Sequence, residues 1–175
     1  MRLFKPWFGS EWLATEQHGG LKPEKLPIQG RFELVHRDAD GLLLDYRQFD
    51  NLVVDVGKAA VAGLIIATGH TNAFDHIAIG IGTTSPVAGN TTMESEITTN
   101  GGQRALATLS RVTTDVTNDT AQLEVTFAFT GTFAVTEAGV LDSISTGVLL
   151  CRQTFAAVNV ISGDSFLVRY KIDVD

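Results

Sequence analysis

Residues 74–86 read FDHIAIGIGTTSP, and Gly80-Ile81-Gly82 just before Thr-Thr-Ser is the most enzyme-like stretch of the chain. Two glycines one residue apart could open a loop that cradles a phosphate. A dinucleotide fingerprint, however, needs a third glycine three residues later, at the start of a helix whose N-terminus holds the pyrophosphate. That position is Ser85, followed by Pro86. A P-loop needs Gly-Lys-Ser/Thr, and no lysine occurs between Lys58 and Lys171. As a strand, the segment puts Gly80 and Gly82 on one face and Ile79 and Ile81 on the other. Glycines so placed allow a neighbouring group to approach closely. The expectation is a structural role and no nucleotide cofactor.

The other chemistry-bearing residues are scattered. His70, Asp75 and His76 in HTNAFDH are types that bind zinc or iron, but His70 falls in a loop and His76 opens a strand, so their spacing does not force convergence. A polar surface loop is expected, and no metal. His36 lies on the apolar side of a strand, as a core histidine with a hydrogen-bond partner would; His18 lies near the N-terminus. Glu94 with Glu96, and Asp173 with Asp175, read as solvated faces, not as the paired carboxylates of a glycosidase. The single cysteine, Cys151 in GVLLCRQTF, reads as a small buried hydrophobe; no disulfide framework or cysteine zinc site can be built from it. Gly-x-Ser-x-Gly is absent. No catalytic residues, no cofactor and no enzyme activity are expected.

The elements that must position these residues are β-rich. The chain has 175 residues, 44% hydrophobic, with only 19% charged and abundant glycine and threonine. Such a balance suits strands whose exposed faces carry hydroxyls. A net charge of −7 argues against nucleic-acid binding through a basic surface. The longest apolar run, AAVAGLIIATG at 59–69, is shorter than the ~20 residues needed to span a bilayer. The N-terminus is interrupted by Lys5, Pro6, Ser10 and Glu11 and does not read as a secretory signal. A soluble protein made in a cytoplasm, with no membrane partner, is expected.

Residues 1–29 hold three of the four prolines and both tryptophans, and read as an extended arm. Its large apolar groups Phe4, Trp7, Phe8 and Trp12 are the candidate partner-binding residues, anchoring on their own domain or on a neighbouring subunit. Residues 30–175 read as one β-sandwich domain. RFELVHR alternates Phe32, Leu34 and His36 against Glu33, Val35 and Arg37, DADG makes a turn, and LLLDYRQF returns. DVGKAAVAGLIIATG predicts one helix, with Asp55 as N-cap, Gly69 as stop, and Val56, Ala60, Gly63, Leu64 and Ala67 on one face. Strands are expected at 75–82, 104–116, 121–133, 135–143, 147–155 and 164–174, joined by TNDT, ISTG and ISGD turns. Many strands, short turns and one helix predict a mainly β fold, an antiparallel sandwich or barrel.

The series FDNLVVDVGKAAVAGLI, FDHIAIGIGTTSPVAGNTTMESEI, VTFAFTGTF with VTEAGVLDS, and GVLLCRQTFAAVNVISGDSFLVRYKIDV resembles a recurring module of tailed-bacteriophage virion proteins. In that module an Asn-Leu-Val strand leads into a glycine-containing helix. An IAIGTGTT-like strand, a TEAG turn and a strand pair ending in RYxI follow. The resemblance covers about residues 30–173 and leaves the arm unmatched. It implies a non-enzymatic β-sandwich located in the virion and assembled in the host cytoplasm. One implied role is a capsid decoration (cement) protein that bridges neighbouring capsid subunits. The alternative is a tail, baseplate or fibre-attachment protein, and a small enzyme or ligand-binding domain is a third. The implied partners are the major capsid protein or tail proteins. The aromatic arm on a weakly charged domain adds the expectation of self-association, as a homotrimer.

Overall fold

A computed structural model describes residues 28–173, which form two five-stranded antiparallel sheets and one helix. In chain order the elements are β1 (Gln29–Arg37), β2 (Leu43–Asp50), β3 (Leu52–Val53), α1 (Asp55–Ile66), β4 (His76–Gly80), β5 (Ala105–Leu106), β6 (Thr108–Val112), β7 (Thr120–Ala128), β8 (Phe133–Leu141), β9 (Leu149–Val160) and β10 (Ser165–Asp173). One sheet runs β2-β1-β10-β7-β6 and the other β3-β9-β8-β4-β5. The expected antiparallel sandwich is therefore the observed fold. β1 begins at Gln29 and Ile28 packs on the core, so the sheet starts one residue inside the expected arm.

Alternation of residue type decides which face each strand buries. Phe32, Leu34 and His36 of β1 point inward, as do Leu123, Val125 and Phe127 of β7, with Phe129 just beyond it; Phe166, Val168 and Tyr170 of β10 meet them. Against these the second sheet brings Ile77, Ile79, Val140 and Cys151 into one core. Each side of the sandwich is joined by chain that leaves one sheet and enters the other. β2 passes through Asn51 into β3, and β5 passes through Ala107 into β6. The run expected as one strand over 104–116 is thus two strands in different sheets. The Ala107 N–H bonds the Asp75 carbonyl at 2.7 Å, which turns the chain at that corner.

The outer face of the second sheet is covered as well. Val54, Ala78, Met93, Leu141 and Leu149 form a second, smaller apolar cluster there, with Val56 against it. The helix buries a different set of residues from the one its apolar pattern predicts. Its buried residues are Gly57 and Ala60, whereas the expected face of Val56, Ala60, Gly63, Leu64 and Ala67 is only partly covered. A side chain at Gly57 would strike the Leu150 carbonyl, so backbone proximity to β9 sets the packing. Asp55 is the first helical residue and not the N-cap. That place falls to Val54, whose N–H is tied to the Leu150 carbonyl and whose backbone is still extended. The helix stops at Ala67, in the left-handed conformation (φ 51°), two residues before the expected Gly69.

Candidate functional site

Between β4 and β5 the chain makes a long excursion, residues 81–104, across the outer face of the second sheet. Besides its buried Met93 and Ile97, two charged side chains of the sheet itself fasten it from below. Glu137 of β8 is fully buried and Arg152 of β9 is 2% exposed. Gly139 pairs with Arg152 and Glu137 with Thr154, so the two charges are diagonal neighbours on one face. Arg152 Nε donates to Glu137 Oε2 at 2.6 Å. Three backbone N–H groups of the excursion also donate to that carboxylate: Gly82 (3.2 Å), Glu94 (3.2 Å) and Ser95 (2.7 Å). Burying a charge is costly unless it is paired and its remaining lone pairs are bonded. Here both conditions hold.

The opening glycines belong to this lock. A methyl group at Gly80 would lie 2.5 Å from the Ser95 carbonyl and overlap the Glu137 carboxylate. At Gly82 it would lie 2.6 Å from Glu137 Oε1 and 2.7 Å from Glu94 Cβ. The Gly82 N–H, one of the donors a phosphate loop would offer, is taken by the protein's own carboxylate. Thr136 Oγ1 donates to the Gly82 carbonyl, and Ile81 N–H bonds Ser95 O, which completes the seam.

Glu94 is exposed, as expected, yet partnered, whereas Glu96, also expected as solvated, is only partly exposed. Glu94 takes Arg152 Nη2 at 2.7 Å and the Thr84 N–H and hydroxyl at 2.8 Å each. The Thr84 hydrogen bonds, aided by the nearby guanidinium, hold its carboxyl below the ordinary glutamate value. Glu96 takes a two-pronged pair from Arg104 (2.6 and 3.0 Å), and Arg104 also donates to the carbonyls of Ser143 and Thr146. Arg152 thus holds the middle of the excursion, and Arg104 ties its last residues to the Ser143–Thr146 turn. Over Arg152 it leaves a shallow polar depression of about 300 Å3, lined by Thr84, Asn90, Thr91 and Glu94 among others.

The histidines separate. His76 Nδ1 lies 2.5 Å from Asp75, whereas His70 stacks on Phe74 with its Nε2 3.5 Å from Asp142. Among the described residues no three His, Cys, Asp or Glu side chains gather in a way that could hold a metal ion. His36 is the core histidine its strand position predicts, bonded to buried Asp164 at 2.8 Å. Burial pushes the Asp164 carboxyl up, but the Ile161 N–H and His36 outweigh it, and its pKa lies below the ordinary value. Cys151 is fully buried, as expected, and burial pushes its thiol up to about 12. Phe4, Trp7, Phe8 and Trp12 lie outside the described residues.

Glu137 and Arg152 are the residues that inspection of the sequence passed over. Their signal was there: an acid in VTEAG and a base in GVLLCRQTF, each the one charged residue of a largely apolar strand. Charges in such strands need partners. No helix among the described residues is long and apolar enough to cross a membrane. Comparison of the chain with protein-family models, with curated proteins and with solved structures finds no match in any of the three.

Proposed function

We propose that the chain is a non-enzymatic structural component of a tailed-phage virion, a capsid cement protein that bridges neighbouring subunits of the shell. The observation that carries this reading is the lock itself. The segments that resemble the virion module contribute Gly80 and Gly82, Glu137, and Arg152, and these meet to fasten the excursion 81–104 to the sheet. The motif residues are thus engaged in holding surface chain in place. A protein that must withstand stress transmitted by its neighbours needs a surface that does not give way. In this reading the aromatic arm supplies the anchors, since large aromatic side chains dominate such contacts, and the partners are the major capsid protein and further copies of the chain.

The test uses particles made from the genome that encodes the chain, labelled with an antibody against residues 30–173. Label spread over the shell supports cement. Label confined to one vertex replaces it with a tail or baseplate role, and particles lacking the protein refute the virion reading. Deleting residues 1–27 should leave thermal unfolding of the β-domain unchanged while incorporation falls sharply. Loss of cooperative folding in that variant would mean that the aromatics complete the domain's own core.

A further inference from the structure

β2 is the last strand of its sheet, and among the described residues no strand pairs with its outer edge. The Asn51 N–H donates to the Gly30 carbonyl across the β1–β2 ladder. Backbone groups of successive residues in an antiparallel strand point alternately to its two sides. Phe49, Arg47 and Asp45 therefore turn theirs toward β1, like Asn51, while Asp50, Gln48 and Tyr46 turn theirs outward. Such edges are commonly defended by charges, above all lysine, by proline or by a bulge. β2 has no lysine or proline; beside Asp45, Arg47 and Asp50 it presents Leu43, Leu44 and Tyr46, which are 49%, 52% and 50% exposed, and Leu42 just before it is 65% exposed.

We propose that this edge pairs antiparallel with β2 of a second copy, about a two-fold axis through Tyr46, to make one continuous ten-stranded sheet. An isologous contact must be self-complementary, and the charges on β2 select the register. An axis between two residues would set outward-turned backbone groups against inward-turned ones. An axis at Arg47 would oppose Arg47 to itself, and one at Asp45 would oppose Asp45 to itself; like charges directly opposite destabilise a sheet. An axis at Gln48 leaves Arg47 opposite Phe49. An axis at Tyr46 sets Asp45 opposite the partner's Arg47 on both sides of the axis. Tyr46 then exchanges both backbone hydrogen bonds with its own copy. The charges are held ready for this. Asp45 and Arg47 already meet at 2.6 Å within one chain, and Arg47 is steadied by the Ala156 carbonyl of β9. The bulge opposite His36 and Arg37 makes Leu44 the extra residue of β2, so the regular part of the contact is Asp45–Gln48 around the axis. The contact does not depend on the virion reading, because it concerns the purified chain alone.

Sedimentation velocity of the full chain tests it, with circular dichroism to verify folding. The parent should sediment as a dimer. Arg47→Asp sets carboxylates against carboxylates at two positions and should raise the dissociation constant roughly tenfold or more. Adding Asp45→Arg reverses both pairs and should restore the dimer. Because Arg47 also steadies Ala156, Gln48→Pro serves as a second variant. It removes an outward N–H that the single chain does not use, and should give a folded monomer. A parent that is monomeric at every concentration overturns the proposal. So does an oligomer, dimeric or trimeric, whose mass is unchanged by Arg47→Asp and Gln48→Pro. A folded charge-reversed variant that stays monomeric does the same.

Discussion

Gly80→Ala perturbs the lock at its tightest point. The added methyl lies 2.5 Å from the Ser95 carbonyl oxygen and overlaps Glu137 Oε1. Neither neighbour is free to move. Ser95 donates to Glu137 at 2.7 Å and accepts from Ile81 at 2.8 Å, while Glu137 is held by Arg152 at 2.6 Å. Overpacking of this kind costs about 1–3 kcal/mol. Loss of one hydrogen bond to a charged group adds about 1.5–3 kcal/mol. The lower entropy of alanine in the unfolded chain returns about 0.4–1 kcal/mol. A net loss of about 3 kcal/mol follows, or a fall in Tm of about 6–12 °C for a chain of this size. Gly89→Ala, in the same excursion, meets nothing within 4 Å and should stay within about 0.5 kcal/mol of the parent. Urea unfolding followed by circular dichroism, with calorimetry for Tm, compares the two. Gly80→Ala within about 0.5 kcal/mol of the parent, or Gly89→Ala equally costly, would refute the close approach.

Glu137→Gln and Arg152→Met each strand a buried charge and should cost about 3–5 kcal/mol in urea unfolding, with the double variant costing clearly less than their sum. Additive losses would mean the two side chains act separately. The carboxyls of Asp164, Glu94 and Asp119 are held low when folded, Asp119 chiefly by the Val116 and Thr114 N–H groups. The folded state therefore binds fewer protons. Their stabilisation is fully present above the ordinary carboxylate pKa of about 4 and lost as pH falls through the depressed values. Tm measured from pH 6 downward should drop below about pH 4, and Asp164→Asn should flatten that drop; an unchanged profile would contradict the assignment. Cys151, buried with its thiol near 12, should react with a disulfide reagent at pH 8 only at the rate of global unfolding. Prompt labelling of the folded protein would place the thiol at an accessible site.

Much of the frame is written locally. Strand alternation in RFELVHR and AQLEVTFAF told which residues enter the core, because period-two burial is a property of each strand by itself. Gly41 and Gly163, with φ of 84° and 97°, sit in turns recognisable from DADG and ISGD. Burial of Cys151 and the partnered state of His36 followed from their places in apolar patterns. The existence of the helix was equally plain, but its seating was not. Val54 caps it because β9 claims the Val54 N–H, and Gly57 is buried because Leu150 lies beneath it.

What the sequence alone determined is therefore most of the strands, the existence of the helix and the inward faces of the strands. Only the tertiary structure decided which strands share a sheet and where the charges meet. The split of 104–116 at Ala107 depends on Asp75, 32 residues away, and Glu137 gathers Gly82 from 55 residues away. The partners of Glu94 and Glu96 are not visible in the chain because nothing near them is basic before Arg104. Arg152 reaches Glu94 only after β8 and β9 have paired. A buried charge advertises that it needs a partner, but which backbone groups and side chains meet it is settled when the excursion folds onto the paired strands, which no single strand's pattern encodes.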